Sequence, residues 1–208
     1  MDENLRFSHH INWVYKKIQA SLALILRSKK TLTFKIKLLL YNSLIMSHIN
    51  YGSCIWGGAS ETELSKLETP MKKAIRAVCS AKYNQHATPL FYQCATLKLK
   101  DYIELNFLKL GNSLYHGFEP KPVQELFFFY RNKRTRLGAF FQLKVPNCQK
   151  TLQRATSYTL PKTWNDAIKK YSLNLQTRTP ALVKNFKAIQ LVKYKNFACY
   201  NSKCYVCH

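Results

Sequence analysis

The sequence predicts a mainly α-helical protein, in which a helical bundle precedes a smaller, irregular and basic α(+β) C-terminal segment. Up to about Tyr115, apolar residues recur at steps of three and four, the pattern of helices that bury one face. Apolar residues make up 47% of the 208 residues, which is enough to build a core. Beyond Pro122 the periodic stretches become shorter. These observations divide the chain into a helical domain at 1–119, a basic segment at 120–196 and a cysteine-rich tail at 197–208.

Two helices are predicted before the first tryptophan-glycine pair. The first runs from about His10 to Ser28, and its apolar face consists of Ile11, Val14, Tyr15, Ile18, Leu22 and Ile25. The second opens near Thr31 or Thr33 and includes residues 40–57, LYNSLIMSHINYGSCIWG, in which an apolar stripe runs into a tyrosine-glycine and a tryptophan-glycine pair. We therefore expect the second helix to end at a packed aromatic corner.

A capping box predicts the start of the third helix. The Ser60 hydroxyl can accept a hydrogen bond from a first-turn amide while Glu63 folds back onto the cap. The apolar stripe that follows consists of Leu64, Leu67, Met71, Ile75 and Val78. A short turn from Thr88 to Cys94 is expected next, and then a helix from about Lys100 to Tyr115 that Gly117 should terminate.

The basic segment contains shorter predicted elements. Val123 to Tyr130 has the pattern of a helix rich in phenylalanine, Arg131 to Arg136 reads as a loop, and Leu137 to Val145 as a strand. Pro161 at a first helical position predicts a short helix. Thr179-Pro180 opens the last helix, whose inward residues are expected to be Leu182, Val183, Phe186, Ile189 and Val192.

Trp56 and Trp164 both lie near predicted element ends, where stacking on a base and packing in the core are alternative roles. A large aromatic residue at a helix terminus usually anchors that terminus by burying area, while its ring nitrogen donates to a backbone acceptor. We therefore expect both tryptophans to pack in the core.

The charge of the chain predicts a polyanionic partner. Its 33 lysines and arginines exceed its 10 acidic residues by 23. Residues 1–125 hold 17 of the basic residues, and the remaining 16 are accompanied by one acid, Asp166. Such an excess makes a compact fold repel itself unless a polyanion relieves it. Nucleic acid is the natural candidate, bound through its backbone without sequence readout.

Two groups of cations are the best candidates for contact with phosphates. Lys72, Lys73 and Arg76 lie on the third predicted helix and should project outward from a rigid element. The second group is denser, and its neighbours Phe128 and Tyr130 offer rings on which an unpaired base could stack. Its members are Arg131, Lys133, Arg134 and Arg136. An exposed charge without a partner is the alternative for any single residue, so the prediction rests on the clusters.

The C-terminal tail is a candidate zinc site. Cys199, Cys204, Cys207 and His208 place four potential ligands close together. The Cys204-x2-Cys207 spacing lets two thiolates reach one tetrahedral ion, and Cys199 could supply a third ligand. His208 directly follows Cys207 and points elsewhere in most backbone conformations. The alternative is a reduced tail without metal, and the sequence predicts no other cofactor and no other metal ligand.

Several blocks of the sequence, taken in order, resemble one protein family. They are His10-Ile11, residues 40–57, Met71–Arg76, His86–Phe91, Leu97–Asp101, Thr135-Arg136 and Pro161–Asn165. Together they are similar to the region after the polymerase palm in reverse transcriptases of non-LTR (LINE-type, jockey-like) retrotransposons. The resemblance covers nearly all of the chain. It implies a thumb-like helical bundle that grips RNA or an RNA–DNA duplex from its minor-groove side.

Catalysis is not expected from this chain. Reverse transcription needs carboxylates that hold two metal ions roughly 3.5 to 4 Å apart, and the sequence has no aromatic-x-Asp-Asp turn. In the order of the family, the catalytic palm would precede residue 1. The resemblance therefore implies a fragment of an RNA-directed DNA polymerase that binds nucleic acid without extending it. The alternative is a domesticated nucleic-acid-binding or protein-interaction module without a role in retrotransposition.

The sequence also predicts the compartment of the protein. No apolar run reaches the roughly 18 to 20 uncharged residues that span a bilayer, and the acidic start Met1-Asp2-Glu3 differs from a secretory leader. We therefore expect a cytoplasmic or nuclear protein that is not secreted and has no membrane partner. Its seven cysteines should be reduced there.

Overall fold

The computed structural model describes residues 4–131, 141–171 and 177–197, with only the backbone of Arg131. Over these residues the protein is mainly α-helical, as predicted. The described residues form two compact units, and segments of the two alternate along the chain. Unit 1 contains residues 4–7, 52–60, 100–131, 141–171 and 177–189, and unit 2 contains residues 8–51, 61–99 and 190–197. The change of composition at Pro120 therefore lies inside unit 1.

Unit 2 is built around α1 (Ser8–Arg27) and α5 (Glu61–Val78), which pack against each other. α1 lies within two residues of its predicted limits, and α5 starts directly after the predicted cap Ser60. The predicted stripe of α5 is entirely buried, whereas in α1 the predicted inward residue Tyr15 is exposed. The buried residues of the α1 stripe are Ile11, Val14, Ile18, Leu22 and Ile25. Apolar periodicity therefore located both helices and most of their buried residues, but not Ser21 on α1 or Pro70, Ala74 and Ala77 on α5.

The predicted second helix is a series of shorter helical pieces. They are α2 (Phe34–Leu40), a π-helical segment (Tyr41–Met46), α3 (Ser47–Asn50) and α4 (Ser53–Trp56). α2 starts directly after Thr33, one of the two expected positions, and the Thr33 side chain makes no capping hydrogen bond. Gly52 breaks the series because its φ of 61° lies in the left-handed region that suits glycine. The expected aromatic corner is correct for Trp56, which is buried, and wrong for Tyr51, whose ring is exposed.

The region after α5 is more helical than predicted. The segment that was expected to form a short turn is instead a helix, α6 (Ala87–Gln93). This helix tolerates Pro89 because the proline lies in the first turn, where a backbone N–H has no partner within the helix. The next helix, α7 (Leu99–Tyr115), ends at Gly117 as predicted. Gly117 has a φ of 72°, and its N–H donates to the Leu114 carbonyl at 3.1 Å while Phe118 donates to Ser113 at 3.0 Å. This is a Schellman ending, which satisfies carbonyls of the last turn.

The phenylalanine-rich helix predicted at Val123–Tyr130 is wrong. A single turn, α8 (Lys121–Gln124), is followed by strand β1 (Phe129–Arg131), which pairs in antiparallel register with β2 (Phe141–Leu143). The backbone groups of β1 find their partners on β2, so the strand depends on residues distant in sequence. β2 itself lies within the strand predicted at Leu137–Val145.

The prediction that Pro161 occupies the first position of a helix is also wrong. After a 3-10 turn (Leu152–Arg154), α9 (Thr156–Tyr171) begins a full turn before this proline. The additional turn is anchored within unit 1, since the Thr156 hydroxyl donates to the Cys54 carbonyl at 2.6 Å. A contact with a distant segment therefore moved the start of the helix.

The last helix, α10 (Thr179–Lys195), begins where Thr179-Pro180 predicted. Its residues Leu182 and Phe186 are buried, as expected. Val192 was predicted to face inward and is exposed instead, because the buried positions of the last turns are Gln190 and Tyr194.

Both Trp56 and Trp164 are buried, which confirms core packing. The Trp164 ring nitrogen donates to the Phe141 carbonyl at 3.0 Å, so α9 is tied to β2 by the kind of bond expected of a buried tryptophan. Among the described residues, no helix combines the length and apolar character needed to cross a membrane.

Candidate nucleic-acid interface

The first predicted group of cations lies around one concavity on unit 2, here named the basic concavity. Its volume is about 360 Å³, and it is lined by Thr69, Lys72, Lys73, Arg76, Tyr83 and Asn84. The four residues on α5 are spaced at three and four positions, which places them on one face of the helix. Tyr83 and Asn84 come from the segment between α5 and α6. The structure therefore brings Lys72, Lys73 and Arg76 together, as their spacing predicted.

The three cations are held in different ways. Arg76 donates through Nε to the Gln85 carbonyl at 2.6 Å, which leaves its four other N–H donors for a ligand. Lys72 pairs with Glu68, one helical turn earlier, at 2.9 Å. Lys73 forms no hydrogen bond or ion pair with any residue that the structure describes. A ligand would therefore meet Lys73 without competition, whereas it would compete with Glu68 for Lys72.

The local charge balance favours an anion. Three cations and the Glu68 carboxylate leave an excess of two positive charges, since 3 − 1 = 2. The exposed Tyr83 ring lines the concavity, and Asn84 offers both a donor and an acceptor. A phosphate group matches this arrangement, because guanidinium and ammonium groups both bind phosphate oxygens.

The side chains of the second predicted group of cations lie outside the residues that the structure describes. Lys133, Arg134 and Arg136 are not among the described residues, and Arg131 is described only as part of β1. Their neighbour Tyr130 is exposed and donates to the Gln142 amide oxygen at 3.0 Å. The proposed contact of this group with nucleic acid stays a prediction.

The predicted zinc ligands Cys199, Cys204, Cys207 and His208 also lie outside the described residues. Within the ranges that are described, no group of three or more histidine, cysteine, aspartate or glutamate side chains is placed to hold a metal ion. The zinc hypothesis for the tail therefore stays a prediction.

An exposed aromatic cluster on α1 was missed by sequence reasoning. The Trp13 ring is 49% exposed, its centroid lies 6.1 Å from those of His10 and His48, and the Lys17 ammonium lies 5.5 Å from the ring. Burial lowers the pKa of His10, so its imidazole is neutral at neutral pH. The available signal was the position of Trp13 beside the apolar stripe, which turns a large ring outward. Such a ring can stack on an unpaired base.

Comparison of the chain with protein-family models, curated proteins and solved structures finds no match. The resemblance to non-LTR reverse transcriptases therefore rests on the sequence blocks themselves.

Proposed function

We propose that this chain is a non-catalytic part of a non-LTR retrotransposon RNA-directed DNA polymerase, and that it binds RNA or an RNA–DNA duplex through backbone phosphates. The observation that carries the proposal is the convergence of Lys72, Lys73 and Arg76 on the basic concavity. The net charge of +23 supports it, because long-range attraction then favours any polyanion. Such a role belongs in the cytoplasm or nucleus.

The three cations suit different parts of a phosphate contact. Arg76 can present two parallel N–H groups to the oxygens of one phosphate, while its Nε bond to Gln85 keeps the guanidinium in place. Lys73 acts as a point charge that adapts to the nearest oxygen. None of these contacts reads a base, so the interaction is independent of sequence.

Salt dependence measures this kind of binding directly. Each phosphate neutralised on duplex DNA contributes about 0.9 to the slope of log affinity against log salt, and each on a single strand about 0.7. Replacing all three cations by glutamine should therefore reduce the slope on a duplex by up to about 2.7. Among single variants, Lys73→Gln should reduce the slope most and Lys72→Gln least, because Glu68 already occupies Lys72.

The test uses fluorescence anisotropy with labelled single-stranded RNA, duplex DNA and an RNA–DNA hybrid, each over a salt series. Lys66→Gln is the matched control for Lys72→Gln. Lys66 lies on the same helix, has the same 44% side-chain exposure and also pairs with a glutamate, Glu63, at 2.8 Å. We expect the control to change the slope less than the variants in the basic concavity. An unchanged slope in the triple variant would overturn the assignment of the site.

A protein-interaction module is the second candidate function. The observation in its favour is that α1 and α2 expose several large apolar side chains, namely Leu24, Leu26, Phe34, Ile36 and Leu39. Exposed apolar surface of this kind is typical of protein contacts. Genomic sequence upstream of the reading frame distinguishes the two functions. A palm-coding frame there, even one broken by stop codons, supports the retrotransposon proposal, and an independent promoter supports the module.

A further inference from the structure

A buried lysine in unit 2 has no matching carboxylate among the described residues. Lys37 on α2 is only 3% exposed, and its ammonium donates to the Ser80 hydroxyl at 2.7 Å and to the Ala77 and Lys29 carbonyls at 3.4 Å. Within the described part of the chain it forms no ion pair. Hydrogen bonds to neutral acceptors satisfy its N–H groups but leave a buried positive charge uncompensated, which is unfavourable.

Two cysteines near this lysine bring their sulfur atoms together. Cys79 directly follows α5, Cys94 directly follows α6, and the two Sγ atoms are 3.3 Å apart. The hydrogen bond from Cys94 lowers the pKa of Cys79, burial opposes this shift, and the charge of Lys37 adds to it. The same hydrogen bond and burial raise the pKa of Cys94. Cys79 is therefore the better nucleophile, and Cys94 is the thiol that stays protonated while Cys79 is a thiolate.

We propose that Cys79 and Cys94 form an oxidisable dithiol that a low-molecular-weight disulfide converts into an intramolecular disulfide. Their sulfur atoms are already in contact and have to approach by only about 1.2 Å to reach the usual bond length. Intracellular disulfides of this kind are usually transient and redox-sensing, so the proposal is compatible with reduced cysteines at rest.

The chemistry balances as two successive thiol–disulfide exchanges. The Cys79 thiolate attacks one sulfur of the small disulfide, the S–S bond breaks, and the other half leaves as a thiolate that takes up a proton. Cys94 then loses its proton and attacks the Cys79 sulfur of this mixed disulfide, which releases the second half as a thiol. Two protein thiols are thereby oxidised, and one small disulfide is reduced to two thiols.

The bond would close the segment that forms one wall of the basic concavity. Tyr83, Asn84 and the Gln85 carbonyl that holds Arg76 all lie between the two cysteines in sequence. A disulfide that tethers both ends of this segment reduces its conformational freedom. The segment then loses less conformational entropy when an anion binds, which favours binding. This consequence rests on the proposed function, whereas the formation of the dithiol does not.

The primary test equilibrates the full chain with glutathione and glutathione disulfide, blocks the remaining thiols with N-ethylmaleimide and maps the peptides by mass spectrometry. We expect a cross-linked peptide pair containing Cys79 and Cys94, lighter by two hydrogen atoms and reversed by dithiothreitol. Cys94→Ser should accumulate the glutathione adduct on Cys79, whereas Cys79→Ser should accumulate none on Cys94. Cross-links of Cys54 or Cys148 that form as readily as the Cys79–Cys94 pair would overturn the proposal.

A measurement on the unmodified chain covers the case in which a variant does not fold. Brief iodoacetamide treatment at pH 7.5 should label Cys79 at least 100-fold faster than Cys54, because burial raises the pKa of Cys54 from 9.0 to about 11 while the pKa of Cys79 is lowered. Equal labelling would contradict the role of Cys79 as the attacking thiol. Nucleic-acid affinity of the oxidised and reduced forms is then compared, and we expect at least two-fold tighter binding after oxidation. Binding by neither form would refute the proposed function and leave the peptide map unaffected, and equal binding would refute only the coupling.

Discussion

Replacing Gly111 by alanine tests the packing of the centre of unit 1. Gly111 lies on α7 directly against the Trp164 ring, and a Cβ atom built there would overlap ring atom Cε3 and lie 2.8 Å from Cζ3. Carbon atoms pack favourably at about 3.5 to 4.0 Å, so the methyl group needs the ring to move. Trp164 is 1% exposed, donates to the Phe141 carbonyl at 3.0 Å and meets the edge of Phe129. The ring therefore has little room to give.

Two opposing effects set the size of the change. Helix propensity favours alanine over glycine by about 0.8 to 1.0 kcal/mol. Overpacking of a filled core costs about 1 to 3 kcal/mol, and the burial and hydrogen bond of Trp164 put Gly111→Ala at the upper end. The difference is a net loss of about 2 kcal/mol in the free energy of unfolding, which corresponds to a fall of roughly 4 to 8 °C in Tm for a chain of this size.

Urea unfolding followed by circular dichroism measures the change, and a double-mutant cycle isolates its cause. In a Trp164→Leu background the ring is gone, so Gly111→Ala should become stabilising by about 0.8 to 1.0 kcal/mol, the propensity difference alone. Two results would show that contact with the Trp164 ring does not determine the effect of Gly111→Ala. One is an unchanged free energy of unfolding in the wild-type background, and the other is an equal loss of stability in both backgrounds.

Three other outcomes follow from individual sites. Ala95 follows α6 with a left-handed φ of 50°, a conformation that is strained for alanine but not for glycine. Ala95→Gly should therefore raise the free energy of unfolding in urea by about 0.5 to 1 kcal/mol, and an unchanged value would contradict strain at this position. Burial raises the pKa of Cys54 from 9.0 to about 11. At pH 8 its alkylation should therefore be about 100-fold slower than that of an ordinary thiol and should quicken as pH rises to 11, and a rate matching a model thiol would refute this. Trp13 is exposed while Trp56 and Trp164 are buried, so single-stranded RNA should quench fluorescence in the wild type but not in Trp13→Leu, and equal quenching in both would exclude stacking on Trp13.

Elements with local signals were predictable from the sequence, and elements that depend on distant partners were not. α5 begins directly after Ser60, where the capping-box sequence predicted, and keeps one apolar stripe, and α7 ends at a glycine with a positive φ. Both signals involve residues within about one helical turn of each other. β1 was predicted as helix because the pairing of Phe129 with Leu143 cannot be read from the phenylalanine run. The start of α9 moved for the same reason, since Thr156 bonds to Cys54.

By itself, the sequence determined the helical class, the positive charge and the shared face of Lys72, Lys73 and Arg76, because side chains three and four positions apart must lie together on a helix. Only the tertiary structure decided that Tyr83 and Asn84 complete a concavity with them, that Lys37 donates to Ser80, and that the sulfur atoms of Cys79 and Cys94 meet. These groups are brought together by the packing of separate helices, which depends on the burial of many side chains at once and leaves no periodic trace in any one segment.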